Sequence, residues 1–261
     1  MTDSTIAAAQ TAPSASALVG VSTRAHGRLF RGMSILMLAI VLTGFARTLF
    51  LRPLFHVPSI PWYLYMHGIV LTSWFALLCV QTSLIAARRI DLHRRLGILG
   101  GVLAIAVVGM SLIAVLGFPA HFKAGRLSID TPFDFPTVSQ IVWTDLASLA
   151  VFSVFTATAL ALRRRPEAHR RLMLLATIAI LGPAAARAGE LPARILSIAV
   201  PGLAALILVG LPLTLLAYDL HSRRRLHPAT AWGVLAYFGA FLGAGALSGT
   251  AMGRALTRAL E

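Results

Sequence analysis

Arg88-Arg89-Ile90-Asp91-Leu92-His93-Arg94-Arg95-Leu96 returns later in the chain as Arg164-Arg165-Pro166-Glu167-Ala168-His169-Arg170-Arg171-Leu172. Both copies read RR-x-[DE]-x-HRRL, and each lies between two long apolar runs. A densely basic turn between apolar runs is what a membrane-crossing chain places at a lipid surface, where long basic side chains reach lipid phosphates. Shorter echoes, His26-Gly27-Arg28-Leu29 and Arg224-Arg225-Leu226-His227, precede the first and last apolar runs. The repeat therefore decides the fold class: an all-α integral membrane bundle.

Composition agrees. Hydrophobic residues make up 57% of the 261, charged residues 12%, and the mean hydropathy is +0.81. Soluble domains carry about twice that share of charge. The net charge of +14 would point to nucleic acid in a soluble chain. Here the arginines cluster in short loops, so the bilayer is the expected partner and nucleic acid is not. The single cysteine, Cys79, excludes an intrachain disulfide and has no zinc-ligand spacing around it.

A spanning helix needs about 20 mostly apolar residues. Seven stretches meet this: about 30–51, 62–86, 96–118, 140–162, 171–190, 195–218 and 229–251. The fifth is the weakest, because Gly182-Pro183 should kink it and Arg187 interrupts its end. Residues 1–23, rich in Ala, Ser and Thr, read as a disordered cytoplasmic tail, and 24–261 as one polytopic domain. No small-x-small exit follows the first run, which reads as an uncleaved anchor. The loop at 119–139, with Pro132-Phe133-Asp134-Phe135-Pro136, reads as a short structured or interfacial segment. Fifteen of the 23 Lys and Arg fall on the side of the two repeats. The positive-inside rule then puts the amino terminus in the cytoplasm and the carboxyl terminus outside, across a bacterial inner membrane.

Aligned at 76 residues' separation, the repeats set His67 opposite Trp143 and Trp74 opposite Ala150, so their likeness ends at the turn. A duplicated hairpin and convergence on one good membrane turn both account for this. In the second turn Pro166 suits a first helical position, and in the two turns Asp91 and Glu167 complement the positive end of a helix dipole.

His93 and His169 open two ascending helices at one depth. Two such imidazoles can be axial ligands of a haem b, with nearby arginines meeting its propionates. Alternatively, His-Arg-Arg anchors each helix at the interface and binds nothing. His67 lies inside the second helix, where an ionisable residue is a functional candidate by default, and Gly68 beside it would let a flat group or another helix come close. Arg47, Asp145, Arg187 and Glu190 fall in the same leaflet as His67. They form either a polar site facing the outside or a structural network in which Asp145 pairs with an arginine. His121 is a further candidate partner of His67.

Other chemistries are excluded. The only lysine, Lys123, is in a loop, so no retinal Schiff base is available on the seventh helix. There is no P-loop, H-E-x-x-H or G-x-S-x-G. Few charges lie within the helices, against a carboxylate relay. Gly245-Ala246-Leu247-Ser248-Gly249 is a G-x-x-x-G, expected to make a helix contact.

Tyr65-Met66-His67-Gly68, Leu92-His93-Arg94-Arg95-Leu96-Gly97 and His169-Arg170-Arg171-Leu172-Met173-Leu174 together resemble a group of bacterial multi-pass membrane proteins. These share an intramembrane histidine and helix starts of the form L-H-R-x-L-G and H-[KR]-R-L-M. The resemblance runs from about residue 60 to 190 and brings no activity with it. More loosely, the group is similar to cytochrome b561-like and cytochrome oxidase assembly-associated families, whose helix-end histidines bind haem or copper. The expected reading is that His67, His93 and His169 bind a haem or metal in a redox or respiratory-assembly role. The alternative is a membrane scaffold or small-molecule permease with structural histidines.

Overall fold

The computed structural model describes residues 15–55, 60–123, 135–196 and 202–260. Among them every regular element is helical. The helices are α1 (Ala15–Gly44), α2 (Arg52–Phe55), α3 (Trp62–Ala86), α4 (Ile90–Lys123), α5 (Phe135–Ala161), α6 (Pro166–Ala179), α7 (Gly182–Leu196), α8 (Leu203–Arg223), α9 (Pro228–Ser248) and α10 (Ala251–Arg258). A π-helical turn, Ala46–Phe50, joins α1 to α2.

Six helices are long and apolar enough to cross a membrane, and a bent pair of shorter ones raises the number to seven. The bent pair is α6 and α7, turned by 60° at Ile180–Leu181. The physical cause is in the sequence. Pro183 has no N–H to continue the ladder, so the last turn of α6 closes with Leu181 N–H donating to Ile178 O at 3.1 Å. Together the two pieces cover the full depth of the bundle. Glu167, at the start of α6, is ion-paired with Arg223 at the end of α8, and Gly189 of α7 packs on Ala204 at the start of α8.

The helix that the sequence ranks weakest as a span is the centre of the molecule. In α6, Arg171, Leu172, Leu174, Leu175, Ala176, Thr177, Ile178 and Ala179 are all buried. α1, α5, α8 and α9 pack around it. A helix enclosed by other helices need not be apolar to lipid, and a break in it is tolerated because protein covers the freed backbone. The outward faces carry the apolar excess instead: Ile98 on α4, Ile105 on α4 and Leu242 on α9 are each about three-quarters exposed, as a bilayer-facing surface requires.

Some interior polar side chains are paired across helices. Trp74 of α3 donates its indole N–H to Thr177 Oγ1 at 3.0 Å and meets Phe152 of α5 edge-on at 5.0 Å. Two glycines are dictated by close approach. A Cβ on Gly44 would stand 2.4 Å from the Ala184 carbonyl oxygen, and one on Gly233 would stand 2.5 Å from Leu175 Cδ1. These set the α1–α7 and α9–α6 distances. The G-x-x-x-G of the last span does not serve this purpose: a Cβ on Gly245 would meet nothing within 4 Å. Small residues permit close approach only where a neighbour lies opposite, and Gly245 has none.

Two helix boundaries differ from the sequence reading. The backbone of α1 begins at Ala15, inside the stretch read as a disordered tail. α4 runs on through Pro119 to Lys123. Residues 124–134, most of the loop read as structured or interfacial, lie outside the described residues.

Candidate functional site

The second basic turn and the turn between α8 and α9 meet at one end of the bundle and build a buried charge cluster. Arg171 and Asp219 are both fully buried. The Arg171 guanidinium donates to both oxygens of Asp219, with Nε–Oδ2 at 3.2 Å, and the same Nε lies 3.1 Å from Thr230 Oγ1. Thr230 in turn donates to Asp219 Oδ2 at 2.5 Å, and the His227 backbone N–H adds a bond at 3.2 Å. On its other side Arg171 reaches Glu167 at 2.7 Å. Glu167 also holds Arg170 at 2.6 Å and Arg223. Arg170 lies over the Phe30 ring of α1, 4.8 Å from its centre. Two carboxylates thus draw α1, α6, α8 and α9 together, with most of their lone pairs filled, as charges withdrawn from water require.

His93 and His169 are brought together here. Their ring centres are 6.5 Å apart and their planes nearly perpendicular, at 83°. His169 Nδ1 lies 2.8 Å from the Ala159 carbonyl oxygen. A carbonyl only accepts, so Nδ1 carries the proton and the Nε2 lone pair is left for a ligand. This is the usual arrangement of a metal-bound imidazole, whose other nitrogen donates to a backbone carbonyl. His93 Nδ1 is buried with no hydrogen-bond partner. Its backbone carbonyl accepts from Gln81 Nε2 at 3.3 Å, while Gln81 Oε1 is likewise buried and unpartnered. Orphaned buried polar atoms on adjacent residues mark a place where a group is expected. Beside them, a Cβ on Gly97 or Gly101, one and two turns further along α4, would meet nothing within 4 Å.

His67 does not join this pair. Gln81 of α3 lies level with His93, and His67 is fourteen residues back along the same helix, about 21 Å away. It stands at the opposite end, where its Nδ1 is buried without a hydrogen-bond partner. The close face of Gly68 is filled by Leu49, whose Cδ2 would lie 2.7 Å from a Cβ there, so no flat group enters beside His67 on that side. The side chain of His121 lies outside the described residues.

The other residues of that end gather around Arg187. Its guanidinium lies over the Phe45 ring at 4.8 Å and donates to Pro183 O at 3.1 Å, while the charges of Asp145 and Glu190 act on it. Arg47 sits in the π-helical turn next to Phe45. Asp145 has no hydrogen bond or ion pair within 4 Å among the described residues. The kink at Gly182 aims Arg187 back at α1, closing this end of the bundle.

Reading the sequence missed Asp219, Thr230 and Gln81, and counted Arg171 only as surface charge. The signal was present for Asp219: a carboxylate inside the apolar run of α8 is costly unless an arginine meets it. Among the described residues no three of His, Cys, Asp and Glu converge to hold a metal ion. No protein-family model, curated protein or solved structure matches the chain, so the chemistry of these residues carries the functional reading.

Proposed function

We propose that this is a bacterial inner-membrane protein that binds one haem b between His93 and His169, in a redox or respiratory-assembly role. The observation that carries the proposal is the His93–His169 pair. Two imidazoles ligating one iron at about 2.0 Å each put their ring centres roughly 6 Å apart, close to the 6.5 Å here. A tetrahedral zinc site takes at least three protein ligands, and no group of three His, Cys, Asp or Glu converges among the described residues. A porphyrin supplies four nitrogens itself and asks the protein for only two.

The rest of the chain supplies what such a group needs. His169 is held in one tautomer by Ala159, Gly97 and Gly101 leave room along α4, and Arg94 and Arg95 are exposed at the same depth to meet carboxylate groups. His93 and His169 would hold such a group as its two protein ligands, and the chemistry it would supply there is electron transfer. The excess of arginine at this end supports a cytoplasmic face for it, and so an amino terminus inside and a carboxyl terminus outside. The test is haem and metal content of protein expressed with haem supplied and purified in detergent. Near-stoichiometric haem that is lost in His93→Ala and in His169→Ala supports the reading. A colourless protein would make the histidines helix anchors of a scaffold or permease.

A further inference from the structure

A trough of about 670 Å³ opens between α5, α6 and α9 on the outside of the bundle. Its walls are Val154, Phe155, Leu172, Trp232 and Ala236, and its mouth, at the basic end, is Arg165. Trp232 is 71% exposed and Val154 61% exposed, so the trough faces the bilayer. Most polar groups within it are engaged: His227 Nδ1 accepts from the Ala229 backbone N–H at 3.1 Å. Thr158 donates to Val154 O in its own helix at 2.7 Å, and the Glu167 carboxylate is shared among Arg170, Arg171 and Arg223. Arg165 differs. Among the described residues no carboxylate lies within 4.0 Å of it and its side chain makes no hydrogen bond, and Arg163 and Arg164 stand exposed beside it.

We infer that this trough is a binding site for an anionic phospholipid of the same leaflet, its acyl chain along Trp232 and Ala236 and its phosphate on Arg165. Shape and charge together select this occupant. The depth from Arg165 to Ala236 runs along α9 and is mostly apolar, which suits a hydrocarbon chain. The mouth holds a cation with no counter-ion, which suits a headgroup that is negative rather than zwitterionic. Trp232 suits the boundary between the two, its ring apolar and its N–H at headgroup level. The lipid would bridge α5, α6 and α9 over the buried charge cluster. This inference does not depend on haem.

The protein is reconstituted in phosphatidylcholine vesicles carrying brominated phosphatidylglycerol or, separately, brominated phosphatidylcholine at the same mole fraction. The Trp232 signal is taken as the difference from Trp232→Phe. Stronger quenching by the brominated phosphatidylglycerol is expected. One arginine near a charged headgroup corresponds to about a fivefold preference, and Arg165→Gln, at an exposed position, should remove it. Ala236→Phe, which fills the trough without touching the mouth, should lower quenching by both lipids. Equal quenching by the two headgroups in the unaltered protein would overturn the assignment, as would a preference unchanged in Arg165→Gln.

Discussion

Arg171 of α6 and Asp219 of α8 form an ion pair in which both side chains are fully buried. Each is anchored a second time, Arg171 by Glu167 at 2.7 Å and Asp219 by Thr230 at 2.5 Å. Replacing one partner strands the other's charge where water cannot reach it, which costs about 3–5 kcal/mol. Asp219→Ala should therefore lower the unfolding midpoint in detergent sharply. Adding Arg171→Met to that variant should restore part of the loss, because the stranded charge is then gone. Thermal unfolding of the three proteins side by side checks this. A double variant less stable than Asp219→Ala would show that the arginine holds its place through Glu167 alone.

Gly44 and Ala184 set the spacing of α1 and the bent span. Gly44→Ala puts a carbon 2.4 Å from a carbonyl oxygen, and neither backbone can yield cheaply, so a loss of about 1–3 kcal/mol is expected. Gly32→Ala in the same helix is the control. A Cβ there meets nothing within 4 Å, and replacing a helical glycine by alanine gains roughly 0.5–1 kcal/mol. Opposite signs for the two variants in an unfolding titration are the expected outcome.

His227 caps α9 through its ring: Nδ1 accepts from the Ala229 backbone N–H at 3.1 Å, which requires that nitrogen to be unprotonated. Burial, then the charges of Arg171 and Arg223, hold the imidazole below its ordinary value of 6.5, against the opposing pull of Asp219 and Glu167. The native state thus binds fewer protons here than the unfolded chain. The stabilisation is complete above the ordinary value and declines as pH falls from there toward the lowered folded value. His227→Asn keeps a good cap without a titrating group. The melting temperature of the unaltered protein should drop more steeply than that of the variant from pH 7 to pH 5.

Much of this was legible in the sequence, and the physical reasons are specific. The RR-x-[DE]-x-HRRL turns mark where the chain reverses, because a run that dense in arginine cannot sit in hydrocarbon. Gly182-Pro183 marks the bend, because proline removes a ladder hydrogen bond wherever it stands. Two helices starting at one depth allow His93 to meet His169, as it does, but His227 opens a helix at that depth too, so depth alone does not select the pair. Other features depend on which helix lies opposite which. Arg171 and Asp219 are 48 residues apart, and nothing in either neighbourhood states that α6 and α8 face each other. Likewise Gly245 and Gly233 look alike in the sequence, yet only Gly233 has a neighbour against it. The central place of α6 was hidden because hydropathy measures fitness to face lipid, and this helix faces protein.

The central claim is that His93 and His169 share one iron. It is tested most directly by the reduced-minus-oxidised absorption spectrum of the detergent-purified protein, recorded beside His93→Ala and His169→Ala. The account predicts a six-coordinate, low-spin b-type spectrum in the unaltered protein and its loss or conversion to high spin in each variant, while His67→Ala leaves it unchanged. The contrary result is a protein without haem absorption when haem is supplied, or a spectrum that survives both substitutions intact.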